Sequence, residues 1–324
     1  MAKTMLLYGE SGTFKSSNLG ECADMIYSLT GKRTRLITAD SGFEPMREQI
    51  DRGIIEPWDL TTYPNPLSGI MKASRGFWPV RFTDTRVGFA DAESGLTTTD
   101  DWSDIGLIIV EGFYMLAELL KRDLVNKGRD SGAKAFNEDG LHFSSSSLGA
   151  YGFVQDTTKE YVGNFKSLPA DWIIFTTHEG KGSDQVSKRT TFGPAVAGSA
   201  VTDKVVGWVE YSFHLESTMY DAGEGRMKRG VRAYFERHPD PDVPNIFWPA
   251  KLGVTPRQAA YVRSIWPEGY IPLLMDKCGN YISGIHTFID VLSNYENRNL
   301  GLEAQTPVPF IDETAIINPG DGNN

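Results

Sequence analysis

Cysteine is scarce in this chain: Cys22 and Cys278 are the only two among 324 residues. They lie far apart, with neither the spacing of a metal site nor the number a disulfide framework needs. That excludes a stapled secreted scaffold and fits a reducing cytoplasm. Long apolar runs are missing too. No stretch reaches about 18 apolar residues, so no membrane-spanning helix is expected. The opening Met1-Ala2-Lys3-Thr4 leads straight into an apolar strand, leaving no room for a signal peptide. Positive charge is in deficit, with 32 Lys and Arg against 42 Asp and Glu and a net charge of −10. Such a chain does not coat nucleic acid through bulk charge, although a local basic groove stays open because the local field governs binding. No internal repeat is present. Apolar residues make up 40% of the chain, enough for a core, and the length fits one large α/β domain with insertions.

What the chain does have is concentrated at its start. Met5-Leu-Leu-Tyr8 is an apolar strand running into Gly9-Glu10-Ser11-Gly12-Thr13-Phe14-Lys15-Ser16-Ser17. A strand, a Gly-containing turn and a Lys-Ser pair opening a helix form a phosphate-binding loop. Backbone N–H groups cradle the phosphates, Lys15 reaches the terminal ones, and the Ser16 hydroxyl is placed for Mg²⁺. Leu19, Cys22, Ala23 and Ile26 share one face at helical spacing, with Gly31 as the stop. A helix N-terminus therefore adds partial positive charge at the same spot. Phe14 stands where the G-x-x-x-x-G-K-[ST] pattern has its last Gly.

Further along, apolar runs alternate with helical patterns, the rhythm of a mostly parallel sheet flanked by helices. Strands are expected at 5–8, 35–39, 106–110 and 172–176, and helices at 15–29, 44–51, 113–125 and 151–168. After residue 200 the texture becomes antiparallel: 211–216 and 231–237 alternate apolar and polar residues around Asp221-Ala-Gly-Glu-Gly225, a hairpin pattern. A closing amphipathic helix is expected over 284–297. Residues 1–300 read as a single domain with insertions at about 60–104 and 126–150, and 301–324 as an acidic flexible tail. The polar, Gly-containing segments 126–150 and 180–200 carry no secondary-structure signal. Loops of that length inside a domain are usually functional or disordered.

Hydrolysis at a phosphate loop also needs a carboxylate near the metal and a group that orients water. The strand Gly106-Leu-Ile-Ile-Val-Glu111 ends in an acid at the edge where open α/β sheets bind ligands, so Glu111 is the expected metal-holding acid together with Ser16. The strand before it ends in Asp40, with Glu44 close behind. Asp40 is the preferred water-activating carboxylate, and Glu44 reads as a first-turn helix acid. The strand Trp172–Thr176 leads into Thr177-His178-Glu179, where Thr177 or His178 would sense the terminal phosphate. A basic-aromatic stretch, 72–82, carries Phe77, Trp78 and Phe82. It could stack bases or cover the sheet edge.

This order of phosphate loop, acid-ended strand, second acid-ended strand and Thr-His-Glu strand resembles the RecA-like P-loop ATPases. It looks most like their phage-encoded members linked to recombination and single-strand annealing. The similarity covers roughly residues 3–255 and includes Phe192-Gly-Pro-Ala-Val-Ala-Gly198 and Thr202-Asp-Lys204. The resemblance implies ATP and Mg²⁺ as cofactors, Lys15, Asp40, Glu111, Thr177 and His178 as catalytic residues, and a homo-oligomer in the host cytoplasm. It gives 126–150 and 180–200 the place of single-stranded-DNA loops, the second carrying Lys181, Lys188 and Arg189. It also implies a cation donated across a subunit interface, for which Lys188, Arg189 and Lys251 are candidates. Two other readings remain open: a nucleotide-binding switch with negligible hydrolysis, and a DNA-translocating helicase or packaging motor.

Overall fold

The computed structural model describes residues 2–39, 43–62, 66–83, 86–89, 102–130, 148–183, 190–196, 202–221, 227–242, 246–275 and 281–299. Strand β1 (Lys3–Gly9) leads into helix α1 (Lys15–Thr30), then β2 (Arg33–Thr38), α2 (Arg47–Asp51), β3 (Ile55–Asp59) and α3 (Pro66–Ser74). A small antiparallel pair, β4 (Pro79–Thr83) and β5 (Arg86–Phe89), precedes β6 (Ile105–Glu111) and α4 (Phe113–Asp130). Next come α5 (Leu148–Phe165), β7 (Trp172–Ser183), β8 (Thr190–Pro194), α6 (Thr202–Val205), β9 (Tyr211–Asp221) and β10 (Met227–Tyr234). The short strands β11 (His238–Pro239), β12 (Phe247–Trp248) and β13 (Lys251–Leu252) follow. The chain then continues through α7 (Pro256–Ile265), β14 (Tyr270–Met275), β15 (Tyr281–Ser283) and α8 (Ile285–Asn299).

Among the described residues the main sheet has 11 strands in the order β15-β14-β10-β9-β1-β7-β6-β2-β3, with β13 against β9 and β8 against β7. From β9 to β3 every neighbouring pair is parallel. Strands β10, β14 and β15 extend the sheet antiparallel. This is the α/β architecture expected from the sequence, a mostly parallel sheet flanked by helices and continued by an antiparallel hairpin. β7 lies between β1 and β6, so the ends of β1 and β6, at Gly9 and Glu111, flank the part of β7 that carries Thr176 and His178.

Alternation along the buried strands divides the core between two faces. Met5 and Leu7, Leu107 and Ile109, and Trp172 and Ile174 pack with Leu19, Cys22 and Ile26 of α1 and with Phe288 and Leu292 of α8. Leu6 and Tyr8, Ile108 and Val110, and Ile173 and Phe175 turn the other way, onto Leu116 and Leu120 of α4 and Tyr161 and Phe165 of α5. Strands covered on both faces read as continuous apolar runs because each successive side chain finds a helix to bury against. Each large side chain so buried contributes about 1.5–3 kcal/mol. Among the described residues no helix is long and apolar enough to cross a membrane.

The structure corrects several local expectations. Segment 180–200 is not wholly irregular: β7 continues to Ser183 and pairs antiparallel with β8, so its described part is a hairpin. Segment 126–150 begins as the last turns of α4, to Asp130, and ends in α5, from Leu148; residues 131–147 lie outside the described residues. The helix expected over 44–51 is a 3₁₀ turn, Glu44–Met46, followed by the short helix α2. Trp78 is not placed to stack bases. Its ring is edge-on to Trp58 and Trp102, each 5.8 Å away, and the buried Arg35 guanidinium lies 4.8 Å from the Trp78 ring and 4.1 Å from that of Trp102. Phe77 packs against the same cluster. The Phe82 side chain and the expected acidic tail lie outside the described residues.

Candidate functional site

The turn between β1 and α1 takes its shape from two glycines and one strained residue. A Cβ on Gly9 would stand 2.1 Å from the Leu215 carbonyl oxygen, so only glycine lets β1 and β9 close up at this end. Gly12 has φ +77°. Phe14 has φ 57° and ψ 27°, and is the only non-glycine with positive φ among the described residues. Glycine would take this left-handed conformation freely; a residue with a Cβ carries strain of about 1–3 kcal/mol there. Asn18 holds it in place. Its backbone N and its Nδ2 each donate to the Phe14 carbonyl at 3.1 Å, while its Oδ1 accepts from Ile285 N, also at 3.1 Å, at the start of α8. Phe14 is 40% exposed, so its ring stands largely outside the core. Phe14→Gly is expected to raise stability by about 1 kcal/mol, the relieved strain less the extra unfolded-state entropy of glycine. ATP affinity should stay within about twofold. Urea melts and ATP titration check both, and a clear loss of stability would show that the ring packs more than it strains.

Lys15 lies along this loop. Its Nζ donates to the Gly9 carbonyl at 2.9 Å, to the Glu10 carbonyl at 2.6 Å and to Thr13 Oγ1 at 3.2 Å, and Thr13 Oγ1 donates to the Glu10 carbonyl at 2.8 Å. Glu10 and Ser11 are exposed at the lip of the turn, Thr13 is buried, and Ser17 is half-buried in the first turn of α1. Ser16 Oγ donates to Glu111 Oε1, which joins the start of α1 to the end of β6. Glu111 follows Leu107 and Ile109 on the face covered by α1 and is 4% exposed. After it, Gly112 takes φ +76° and its N–H donates to Thr176 Oγ1 at 3.3 Å, which fixes β6 against β7. A hydroxyl and a carboxylate form the hard, all-oxygen donor pair that suits Mg²⁺, which takes one or two protein oxygens and completes its shell with phosphate oxygens and water. Among the described residues no group of three or more His, Cys, Asp or Glu that could hold a metal ion is present.

Alternation separates the two sensor candidates. Trp172 and Ile174 face α1, so Thr176 and His178 do as well. His178 is half-buried and in register with Gly9. Thr177 faces the α4–α5 side and donates its hydroxyl to the Ala195 carbonyl at 2.6 Å. Asp40 lies outside the described residues. The described chain before it ends at Ala39, whose N–H donates to the Glu111 carbonyl at 3.2 Å. Glu44 is exposed and hydrogen-bonded to Arg47, which holds its carboxyl below the usual carboxylate range. Lys251 Nζ donates to the Val209 carbonyl at 2.7 Å, and its strand pairs with the start of β9, away from the end level with Gly9. Lys188 and Arg189 lie outside the described residues.

Two features escaped the sequence reading. One is a buried polar run across the sheet, from Glu179 Oε2 to His214 Nε2 and from His214 Nδ1 to His238 Nε2, both at 3.0 Å. His214 is stacked on Tyr8 and Trp248, at 4.8 and 4.2 Å between centroids. His238 Nδ1 faces the Glu236 carbonyl at 3.3 Å. A carbonyl only accepts, so His238 donates there and accepts from His214; the run is complete only with a further proton in the Glu179–His214 contact. Burial, and then neighbouring His214, push His238 down to about 4, so it is neutral near pH 7. The other feature is Arg229 of β10, whose guanidinium stands beside the Gly9–Lys15 turn at Gly12. No short sequence pattern marks either feature, because their members come together only through strand pairing.

A glycine turn, a lysine, a helix N-terminus and a hydroxyl–carboxylate pair at the C-terminal edge of a parallel sheet define a candidate site for a phosphorylated ligand with a divalent cation. No family model and no curated protein matches the chain. Among solved structures it is similar to the RadB recombinase, with 11% identity over 73% of this chain and 81% of that one and a TM-score of 0.38. It is also similar to the KaiC-like protein PH0186 from the hyperthermophilic archaeon Pyrococcus horikoshii OT3, with 10% identity over 87% of this chain and 89% of that one and a TM-score of 0.36. Likeness at this level carries no weight for function, which rests on the chain's own residues.

Proposed function

We propose that the protein is a RecA-like P-loop ATPase that binds and hydrolyses Mg·ATP, acting as a homo-oligomer on single-stranded DNA in recombination, replication or repair. The observation that carries this reading is the hydrogen bond from Ser16 to Glu111 at the N-terminus of α1, one residue from Lys15. It joins the two oxygens suited to Mg²⁺ at the point where backbone amides and a lysine would meet phosphates. Bound there, Mg²⁺ would neutralise charge on the phosphate oxygens. Lys15 swings from its loop carbonyls to the β- and γ-phosphates. Glu111 and Ser16 would hold the cation, and His178, on the same face and level with Gly9, would sense the terminal phosphate. Asp40 remains the proposed water-activating carboxylate. Support for the DNA role comes from the resemblance in sequence and from the β7–β8 hairpin, which begins directly after His178 within β7.

ATP turnover measured alone, with single-stranded DNA and with duplex DNA tests the proposal. The expected result is a basal rate raised by single-stranded DNA. Bound ATP without turnover under any of these conditions would favour the nucleotide switch, and directional movement along duplex would favour the motor. A protein that does not bind ATP would remove the proposal altogether.

A further inference from the structure

We propose that Arg229 is a second cation of the phosphate site, supplied by the same chain, and that it grips the terminal phosphate of the bound nucleotide. This rests on the ATP-binding reading above. Val231 and Ala233 of β10 are buried on the α1 face of the sheet. Period-2 alternation makes Arg229 the next residue in that row, where the sheet runs out of apolar cover and reaches the phosphate loop. Both terminal guanidinium nitrogens stand 3.7 Å from the position that a Cβ on Gly12 would take. The guanidinium thus lies within van der Waals reach of the loop at Gly12, where the φ of +77° accounts for the glycine. Ser217 Oγ accepts from Nη2 at 2.7 Å and from Nε at 3.2 Å, fixing the plane of the fork.

The charge environment points the same way. Several arginines here are matched with carboxylates, among them Arg33 with Asp104, Arg75 with Glu160 and Arg263 with Glu236, whereas Arg237, like Arg229, is in no ion pair among the described residues. Among the described residues no carboxylate forms an ion pair with Arg229, although the chain is rich in acid. A planar guanidinium held beside an anion-binding turn suits bidentate contact with phosphate oxygens, and a second positive group raises the selectivity of the site for the more highly charged nucleotide. Lys15 reaches the phosphates from α1 and Arg229 from β10, so one chain supplies a cation on each side of the loop.

The test compares ATP and ADP binding by titration calorimetry, together with steady-state hydrolysis, in the full-length protein, Arg229→Ala, Arg229→Lys and Ser217→Ala. Arg229→Ala should weaken ATP binding about tenfold and lower kcat about tenfold, while ADP binding changes by less than about threefold. Arg229→Lys, which keeps the charge without the fork, should recover part of each loss. Ser217→Ala, which only loosens the fork, should show a smaller loss of the same pattern. The side chain is exposed, so the thermal melt of Arg229→Ala should match that of the unaltered protein. Native ATP affinity and kcat in Arg229→Ala would overturn the assignment while leaving the phosphate loop standing. Equal weakening of ADP and ATP would overturn the contact with the terminal phosphate. Failure of the unaltered protein to bind ATP would instead bring down the reading of the site itself.

Discussion

Replacing Glu111 with Gln is expected to leave ATP affinity within about threefold of native and to slow hydrolysis on the order of a hundredfold. The amide keeps the shape of the side chain and still offers an oxygen to the Ser16 hydroxyl, which now donates to the carboxylate. What it loses is the negative charge that would face a bound cation. Glu111 is 4% exposed, so water screens that charge little and its removal is felt strongly. Stability should hold, because a buried carboxylate is costly to desolvate and a neutral isostere lifts that cost. Equilibrium ATP titration and single-turnover hydrolysis separate the two effects. Native turnover in Glu111→Gln would show that this carboxylate is not the metal-holding acid.

Lys15→Ala should weaken ATP binding roughly ten- to a hundredfold, the range that corresponds to a charge-assisted hydrogen bond of about 1.5–3 kcal/mol. The ammonium bonds the carbonyls of its own loop, at Gly9 and Glu10, and Thr13 Oγ1. Glu10 is exposed, so water can replace the ammonium there and the fold should survive the substitution. Loss of ATP binding with an unchanged thermal melt is the expected outcome. Unchanged affinity in a folded variant would remove the phosphate-loop assignment.

The central strands and their helices were legible because each is an unbroken apolar run or a clear helical stripe. Met5–Tyr8 and Gly106–Val110 fall inside β1 and β6, and the helix expected from Lys15 starts there and ends at Thr30. Shorter or more polar elements were not. Strand β3 contains Glu56, Pro57 and Asp59, and its side chains are only partly covered, so its pattern is weak. Helix α7 did carry a local signal: Thr255 and Gln258 form a capping box with Pro256 in the first turn. The β7–β8 hairpin was read as loop because Gly180, Lys181, Gly182 and Ser183 have low strand propensity; pairing with β8 decides their conformation.

By itself the sequence determined the glycine-containing turn from β1 into α1, the acid at the end of β6 and the α/β class, since each depends on residues adjacent in the chain or on a short period. Tertiary structure decided which polar residues share a face. It put His178 and Glu111 on the α1 side and Thr177 on the other, and it joined Ser16 to Glu111 across 95 residues of chain. It also brought Arg229 of β10 to Gly12 and Glu179 of β7 to His214 of β9. The physical reason is strand order: hydrogen-bonded neighbours in a parallel sheet are distant in sequence, so a one-residue change of register would reverse every one of these faces.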